Sequence, residues 1–279
     1  MARVLLLNPS KWGRGITPIW IASHLAVLKS EQHEVCLFDS TFYKDWSVDE
    51  VKYNTSNKQY QQSSYSQHIT FNEGEIIEDL CKCIYSFEPD VIFWSAISSH
   101  IHGEGEYVNI QYGYQLVGNI SSQAIKVAGG LQPTAQPKSM FNKFPKVNYF
   151  ICGESEFVLS EIANKIDKKE SFCEIDGVVY KKGEQIKVNP PQKIIKDLDE
   201  IPPYDYSLFD DQVYYRPYNG NVVRAVDYEL SRGCPYTCTY CVETVIQKYY
   251  GFSEIIGNGI VKNAKKYLRN KSAKRIFEE

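Results

Sequence analysis

The sequence predicts an α/β fold: a doubly wound parallel sheet of the Rossmann-like, flavodoxin-like kind, followed by the start of a second α/β unit. Three observations predict it. Continuous apolar runs such as VLLLNPS (4–10) end in turn residues, as strands buried on both faces do. Apolar positions at helical spacing fill the stretches between the runs. The two patterns alternate from residue 4 to residue 166, the signature of stacked βαβ units.

The elements follow in order. A helix is expected over 18–30, with Ile19, Ala22, Leu25, Ala26 and Leu28 along it. HEVCLFDS (33–40) is a second strand. Residues 44–70, rich in Ser, Gln, Asn and Tyr, read as an insertion or surface loop. A helix over 73–87 leads to PDVIFWSAIS (89–98), a strand of strong β-formers. A helix over 105–121, the strand AIKVAGG (124–130), the strand VNYFICGE (147–154) and a helix over 155–166 complete the first domain. Ligands of such sheets sit at the carboxyl ends of the strands, so the loops 8–15, 95–105, 129–134 and 153–156 are the places to look. GVVYKKGEQIKV (177–188) is a hairpin turning at Lys-Lys-Gly. The proline-rich stretch up to Val222 is a linker. A strand over VVRAVDYELSRG, a helix over 252–269 and a strand in KRIFEE open the second domain. The expected division is therefore 1–166, 167–222 and 223–279.

Composition narrows the function. The chain has 279 residues, 43% apolar and 23% charged, with a net charge of −3. No basic field exists to hold a phosphate backbone, so no nucleic acid is expected as partner. No run reaches the ~18 apolar residues of a membrane span. No signal-peptide pattern opens the chain, which points to the cytoplasm. Eight cysteines occur without any sign of secretion. Cys36, Cys81, Cys83, Cys152 and Cys173 are scattered and read as small buried side chains.

The other three, Cys234, Cys238 and Cys241, share the stretch SRGCPYTCTYCVE (231–243). Structural zinc wants four protein ligands. All five histidines lie between His24 and His102, and no cysteine or histidine follows Cys241. Zinc would need Cys152 or Cys173 to fold back. A C-x-x-C redox pair would leave Cys234 without a role. A [4Fe–4S] cluster with one open iron fits three thiolates. Arg232 and Glu243 read as solvated loop charges.

The spacing C-x-x-x-C-x-x-C with Tyr240 before the last cysteine resembles the signature of radical S-adenosylmethionine (SAM) enzymes. The resemblance implies that Cys234, Cys238 and Cys241 bind the cluster and that SAM takes the open iron. It implies that Tyr240 contacts adenine, and that one electron from the cluster cleaves SAM to a deoxyadenosyl radical. A reductant such as flavodoxin or ferredoxin would supply that electron. Residues 3 to about 222 resemble the cobalamin-binding domain of the B12-dependent class. The likeness rests on Asn8-Pro9, Pro18, His33-Glu34-Val35 with Asp39, Ser95, Gly129-Gly130 with Pro133-Thr134, Gly153-Glu154-Ser155-Glu156, and Asp197 to Pro202. It implies cobalamin contacts at Ser95, Ile97, Gly129, Gly130, Gly153 and Glu154. The cobalt-ligating D-x-H-x-x-G is absent from the first loop. His100 and His102 follow the third strand instead, so cobalt without a histidine ligand is expected.

The implied function is a cobalamin-dependent radical SAM enzyme, most simply a methyltransferase acting on an unactivated carbon or phosphorus of a small molecule. Ring formation or rearrangement is the alternative within the class. A cobalamin-binding module without catalysis and a tRNA methylthiotransferase are alternatives outside it. Few residues follow Cys241, so the chain reads as truncated early in the radical SAM barrel. It is expected to lack turnover and to have a poorly ordered tail after about Val222. Glu278 and Glu279 read as a charged terminus.

Overall fold

The computed structural model describes residues 1–10, 17–43, 63–95, 103–236, 238, 240–252 and 264–279. Five parallel strands form the first sheet: β1 (Arg3–Asn8), β2 (Glu34–Asp39), β3 (Val91–Ser95), β4 (Ile125–Gly129) and β5 (Tyr149–Ile151). Their order is β2-β1-β3-β4-β5, the flavodoxin-like arrangement. β1 shows why the apolar runs are continuous. Val4 and Leu6 pack into one core and Leu5 and Leu7 into the other, all four fully buried.

Helices cover both faces. α1 (Ile19–Ser30) lies on the first face with Ile21, Leu25 and Leu28 inward. α2 (Ile76–Phe87) and α3 (Gly103–Asn119) lie on the second, contributing Leu80 and Leu116. Two short helices, α4 (Leu131–Ala135) and α5 (Pro137–Lys143), follow β4, and Met140 and Phe141 join the second core. α6 (Glu156–Asp167) returns to the first face against α1. Asn8 and Asp39, paired in register, are joined by an Asn8 Nδ2 to Asp39 Oδ1 bond of 2.8 Å.

The expected hairpin consists of β6 (Val178–Lys182) and β7 (Gln185–Val188) and turns at Gly183-Glu184. It is continuous with the sheet: β6 pairs antiparallel with β5, giving seven strands. The proline-rich stretch after it buries Leu198, Ile201, Phe209 and Val213 in the first core.

The later residues differ from expectation. The strand expected over Val222–Gly233 is split. β9 (Asn221–Arg224) closes a hairpin with β8 (Tyr215–Tyr218). β10 (Ser231–Arg232) pairs antiparallel with β11 (Arg269–Asn270). KRIFEE is no strand. It lies in α8 (Ala273–Glu278), whose first turn is capped by Ser272 Oγ accepting from Arg275 N–H at 3.1 Å. The helix expected over 252–269 falls largely outside the described residues. α7 (Glu243–Tyr249) starts two residues after Cys241. Beyond Val222, Ile246, Gln247, Tyr267, Arg269 and Lys271 are buried, so this part packs onto the sheet. Glu279 is not a solvated terminus: its side chain is 5% exposed and pairs with Lys271 at 2.6 Å.

Candidate functional site: a cavity between the sheet edge and the cysteine loop

Register brings the expected sheet-side residues together. Ser95 ends β3 directly beside Gly129 of β4, and Gly130 follows at φ +106°. Gly153 and Glu154 lie just past β5. All are at the carboxyl edge of the parallel strands. Ile97, His100 and His102 lie outside the described residues. A cavity of about 430 Å³ opens at this edge. Ser95, Gly130, Gly153 and Glu154 line it, together with Thr134 and Ser155. Gly129 lies behind the wall, where an added Cβ would press on Phe93 at 3.1 Å. Thr134 Oγ donates to Gly130 O at 2.7 Å and accepts Gly153 N–H at 2.8 Å, tying the two glycine loops to each other.

His24 lines the same cavity, but both ring nitrogens are engaged. Nδ1 faces Trp20 O at 2.5 Å, which makes Nδ1 the donor, and Nε2 meets Ser155 Oγ at 2.8 Å. Burial pushes its pKa down, which favours this neutral form. Ser155 therefore serves His24 and makes no side-chain cap for α6. Both ring nitrogens of His24 are thus taken up by protein partners.

The opposite wall is made by residues that flank the cysteine loop, Ser231, Arg232 and Gly233 before it and Glu243, Ile246 and Tyr250 after it; Cys234, Cys238 and Cys241 themselves do not line the cavity. Cys234, Cys238 and Cys241 are all free thiols and half-buried. Gly233 holds φ +87°, a left-handed conformation that turns the chain off β10 into the loop. Gln247 on α7 is fully buried and donates Nε2 to Cys234 O at 2.8 Å and to Tyr236 O at 3.0 Å. Cys241 N–H donates to Cys238 O at 3.0 Å. Tyr240, expected to contact adenine, is 91% exposed.

Among the described residues, no three His, Cys, Asp or Glu side chains gather closely enough to hold a single metal ion. Three soft thiolates with no fourth protein donor in the loop suit a larger group, an iron–sulfur cube with one corner open. The donor set thus fits the cluster and does not fit structural zinc.

Sequence reasoning missed the charges between the two walls. Arg232 is not solvated: its side chain is 12% exposed. Its Nη2 meets Glu156 Oε1 at 2.6 Å, its Nε meets Glu229 Oε1 at 2.6 Å, and its Nη1 lies 3.7 Å from Glu154 Oε1. Arg269 Nη1 meets the same Glu154 Oε1 at 2.8 Å and Glu154 Oε2 at 3.0 Å. Glu154 Oε2 also accepts Ile195 N–H at 3.1 Å. Burial pushes Glu154 up; at Glu156 burial also pushes up, but the Arg232 charge and hydrogen bond, His24 and the backbone hydrogen bond together hold the carboxyl at about 2. Glu154, expected as a cobalamin contact, thus has its carboxylate occupied by protein groups. Tyr250 Oη accepts Glu154 N–H at 2.6 Å and fills the space beside Gly153. The acidic pair Glu154 and Glu156 flanking one serine was visible in the sequence; its basic partner, 76 residues away, was not.

Known proteins share this architecture. No protein-family profile matches the chain. An uncharacterized methyltransferase of Pyrococcus horikoshii is 27% identical over 169 residues, 61% of this chain and 35% of that protein. The cobalamin-dependent radical SAM methyltransferase TokK of Streptomyces tokunonensis is 28% identical over 156 residues, 55% of this chain and 22% of TokK. The solved structure of the cobalamin-dependent SAM radical enzyme OxsB, with aqua-cobalamin and SAM bound, superposes with a TM-score of 0.58 at 16% identity. It covers all of this chain and 31% of OxsB. This chain is similar to cobalamin-dependent radical SAM enzymes. It spans about a third of the length of the Pyrococcus protein and of OxsB, and less of TokK. The likeness of fold to OxsB runs over the whole chain, the residues of both cavity walls included.

Proposed function

We propose that this chain is the cofactor-binding portion of a cobalamin-dependent radical SAM methyltransferase acting on a small-molecule substrate. In this reading, residues 1–166 form the cobalamin-binding unit, 167–222 its hairpin and linker, and 223–279 the beginning of the radical SAM unit. The observation that carries it is one cavity with the glycine-rich carboxyl edge of a flavodoxin-like sheet on one side and, on the other, Ser231–Gly233 and Glu243, the residues that lead into and out of the three-cysteine loop.

Cys234, Cys238 and Cys241 would hold the cluster, leaving one iron for SAM. The hydroxyl of Ser95 and the bare backbone of Gly130, both on the cavity wall, would receive the nucleotide tail of cobalamin. When bound, the cluster supplies the electron that cleaves SAM, and cobalamin supplies a transferable methyl group. The chain's own residues position these groups and exclude water. Ile19, Trp20 and Ile246 give the cavity its apolar walls, and Gln247 fixes the carbonyls of the cysteine loop. A reductant of the flavodoxin or ferredoxin class and a cytoplasmic site complete the proposal. No described helix is long and apolar enough to cross a membrane.

The test is EPR of anaerobically reconstituted, dithionite-reduced protein, with and without SAM. The expected result is a [4Fe–4S]⁺ signal whose g-values shift with SAM, and its loss in Cys234→Ala, Cys238→Ala and Cys241→Ala. A protein without iron, or a cluster indifferent to SAM, refutes the catalytic reading. Product analysis in a chain extended through the barrel separates methyl transfer from ring formation.

A further inference from the structure

We infer that Arg232 is a positioning residue that sets the start of the cysteine loop in register against the carboxyl edge of the sheet. The inference rests on the cofactor reading just proposed, and it adds a residue to which nothing in the motif assigns a role.

Three facts carry it. Arg232 stands two residues before Cys234, in β10, so its placement dictates where the loop begins. Its guanidinium fork reaches carboxylates from three separate places: Glu229 just before β10, Glu156 at the start of α6, and Glu154 in the loop after β5. Each of these carboxylates is itself braced. Glu156 Oε1 accepts from Ser23 Oγ at 3.1 Å, Glu229 Oε1 accepts from Tyr204 Oη at 2.9 Å, and Glu154 is held by Arg269 and Ile195. A fork hydrogen-bonded to two braced carboxylates, with a third at ion-pair distance, is held in one orientation. A lysine is a single point charge on a flexible stem and would keep the charge without fixing the angle.

The network is also continuous with both walls. Arg269 is the strand partner of Arg232 in the β10–β11 pair, and it reaches the same Glu154. Ser23, one turn along α1 from Trp20, ties Glu156 to the helix that lines the cavity. Buried ion pairs add little net stability but leave a large penalty when one partner is removed. Such an arrangement serves geometry more than stability, which is why geometry is the property to test.

The experiment uses the full chain, wild type, Arg232→Lys and Arg232→Gln, with Arg224→Gln as control. Arg224 pairs with Asp211 on the surface, at 54% and 67% exposure. The first readout needs no cofactor: amide hydrogen exchange by mass spectrometry. Peptides over 229–250 should exchange at least tenfold faster in Arg232→Lys, whereas peptides over β1 and β3 stay unchanged. The second is EPR titration of the reconstituted cluster with SAM. Arg232→Lys should retain iron but need at least tenfold more SAM for the g-shift. Arg224→Gln should match wild type in both. If Arg232→Gln fails to fold, Arg232→Lys and Glu156→Gln decide the matter. A wild type that shows the SAM shift, with Arg232→Lys equal to it within twofold in both readouts, overturns the inference alone. A wild type without the shift overturns the cofactor reading and this inference together.

Discussion

Gly233→Ala tests how tightly the cysteine loop is built. The residue sits at φ +87°, where a β-carbon costs about 1–2 kcal/mol. The new methyl would also overlap the carbonyl oxygen of Tyr267, with the carbonyl carbon and Cδ1 of that tyrosine both 2.9 Å away. Backbone cannot swing aside as a side-chain tip does, so the overlap adds overpacking strain of roughly 1–3 kcal/mol. The sum is about 3 kcal/mol, felt at the β10–β11 pair and the first cysteine. Gly183→Ala is the matched control. It has φ +62° in the β6–β7 turn with nothing within 4 Å, so it carries the backbone cost without the overlap. Urea unfolding and iron content after reconstitution are the assays. Gly233→Ala should lose about 2 kcal/mol more than Gly183→Ala and most of its iron, while Gly183→Ala keeps its iron. Equal losses in the two variants, or full iron in Gly233→Ala, would refute the argument.

Two further outcomes follow from the structure. Cys36 on β2 and Cys83 on α2 lie with their sulfurs 3.8 Å apart. The hydrogen bond from Cys83, working against burial, pulls Cys36 down to about 7 and pushes Cys83 up. Cys36 thiolate therefore forms as pH rises through about 7, and its alkylation rate should climb there, below the range of an ordinary thiol. Cys83→Ala should move that climb to higher pH, and an unchanged profile would show that no such bond exists. Gln247→Leu removes both bonds to the carbonyls of Cys234 and Tyr236 and should cost about 1–3 kcal/mol. Iron release to a chelator should quicken several-fold in that variant, and release at the wild-type rate would count against a role for Gln247 in the loop.

The legible part of the fold is the part buried on both faces. VLLLN had to be a central strand, because no other element hides four consecutive aliphatic side chains in two cores. The meeting of Ser95, Gly129 and Gly153 at one edge followed from strand order. The ionic joint did not, because charge pairing between Arg232 and Glu156 depends on tertiary approach, not on local pattern. KRIFEE misled for a local reason. Its Ile-Phe pair suits a strand, but Ser272 supplies a helix cap just before it. The short β10 was hidden in a longer apolar stretch that the structure divides between two separate pairings.

The β6–β7 hairpin has a practical consequence. β5 would be the sheet's outer strand without it, and Phe150 and Ile151, fully buried, would present bare backbone ready to recruit another molecule. The hairpin shields that backbone and ends the sheet on a short strand whose own Lys187, with Lys181 and Lys182 on β6, discourages stacking. A fragment cut at the end of α6 would thus be sticky, and any excised piece meant to stay monodisperse has to run past Val188.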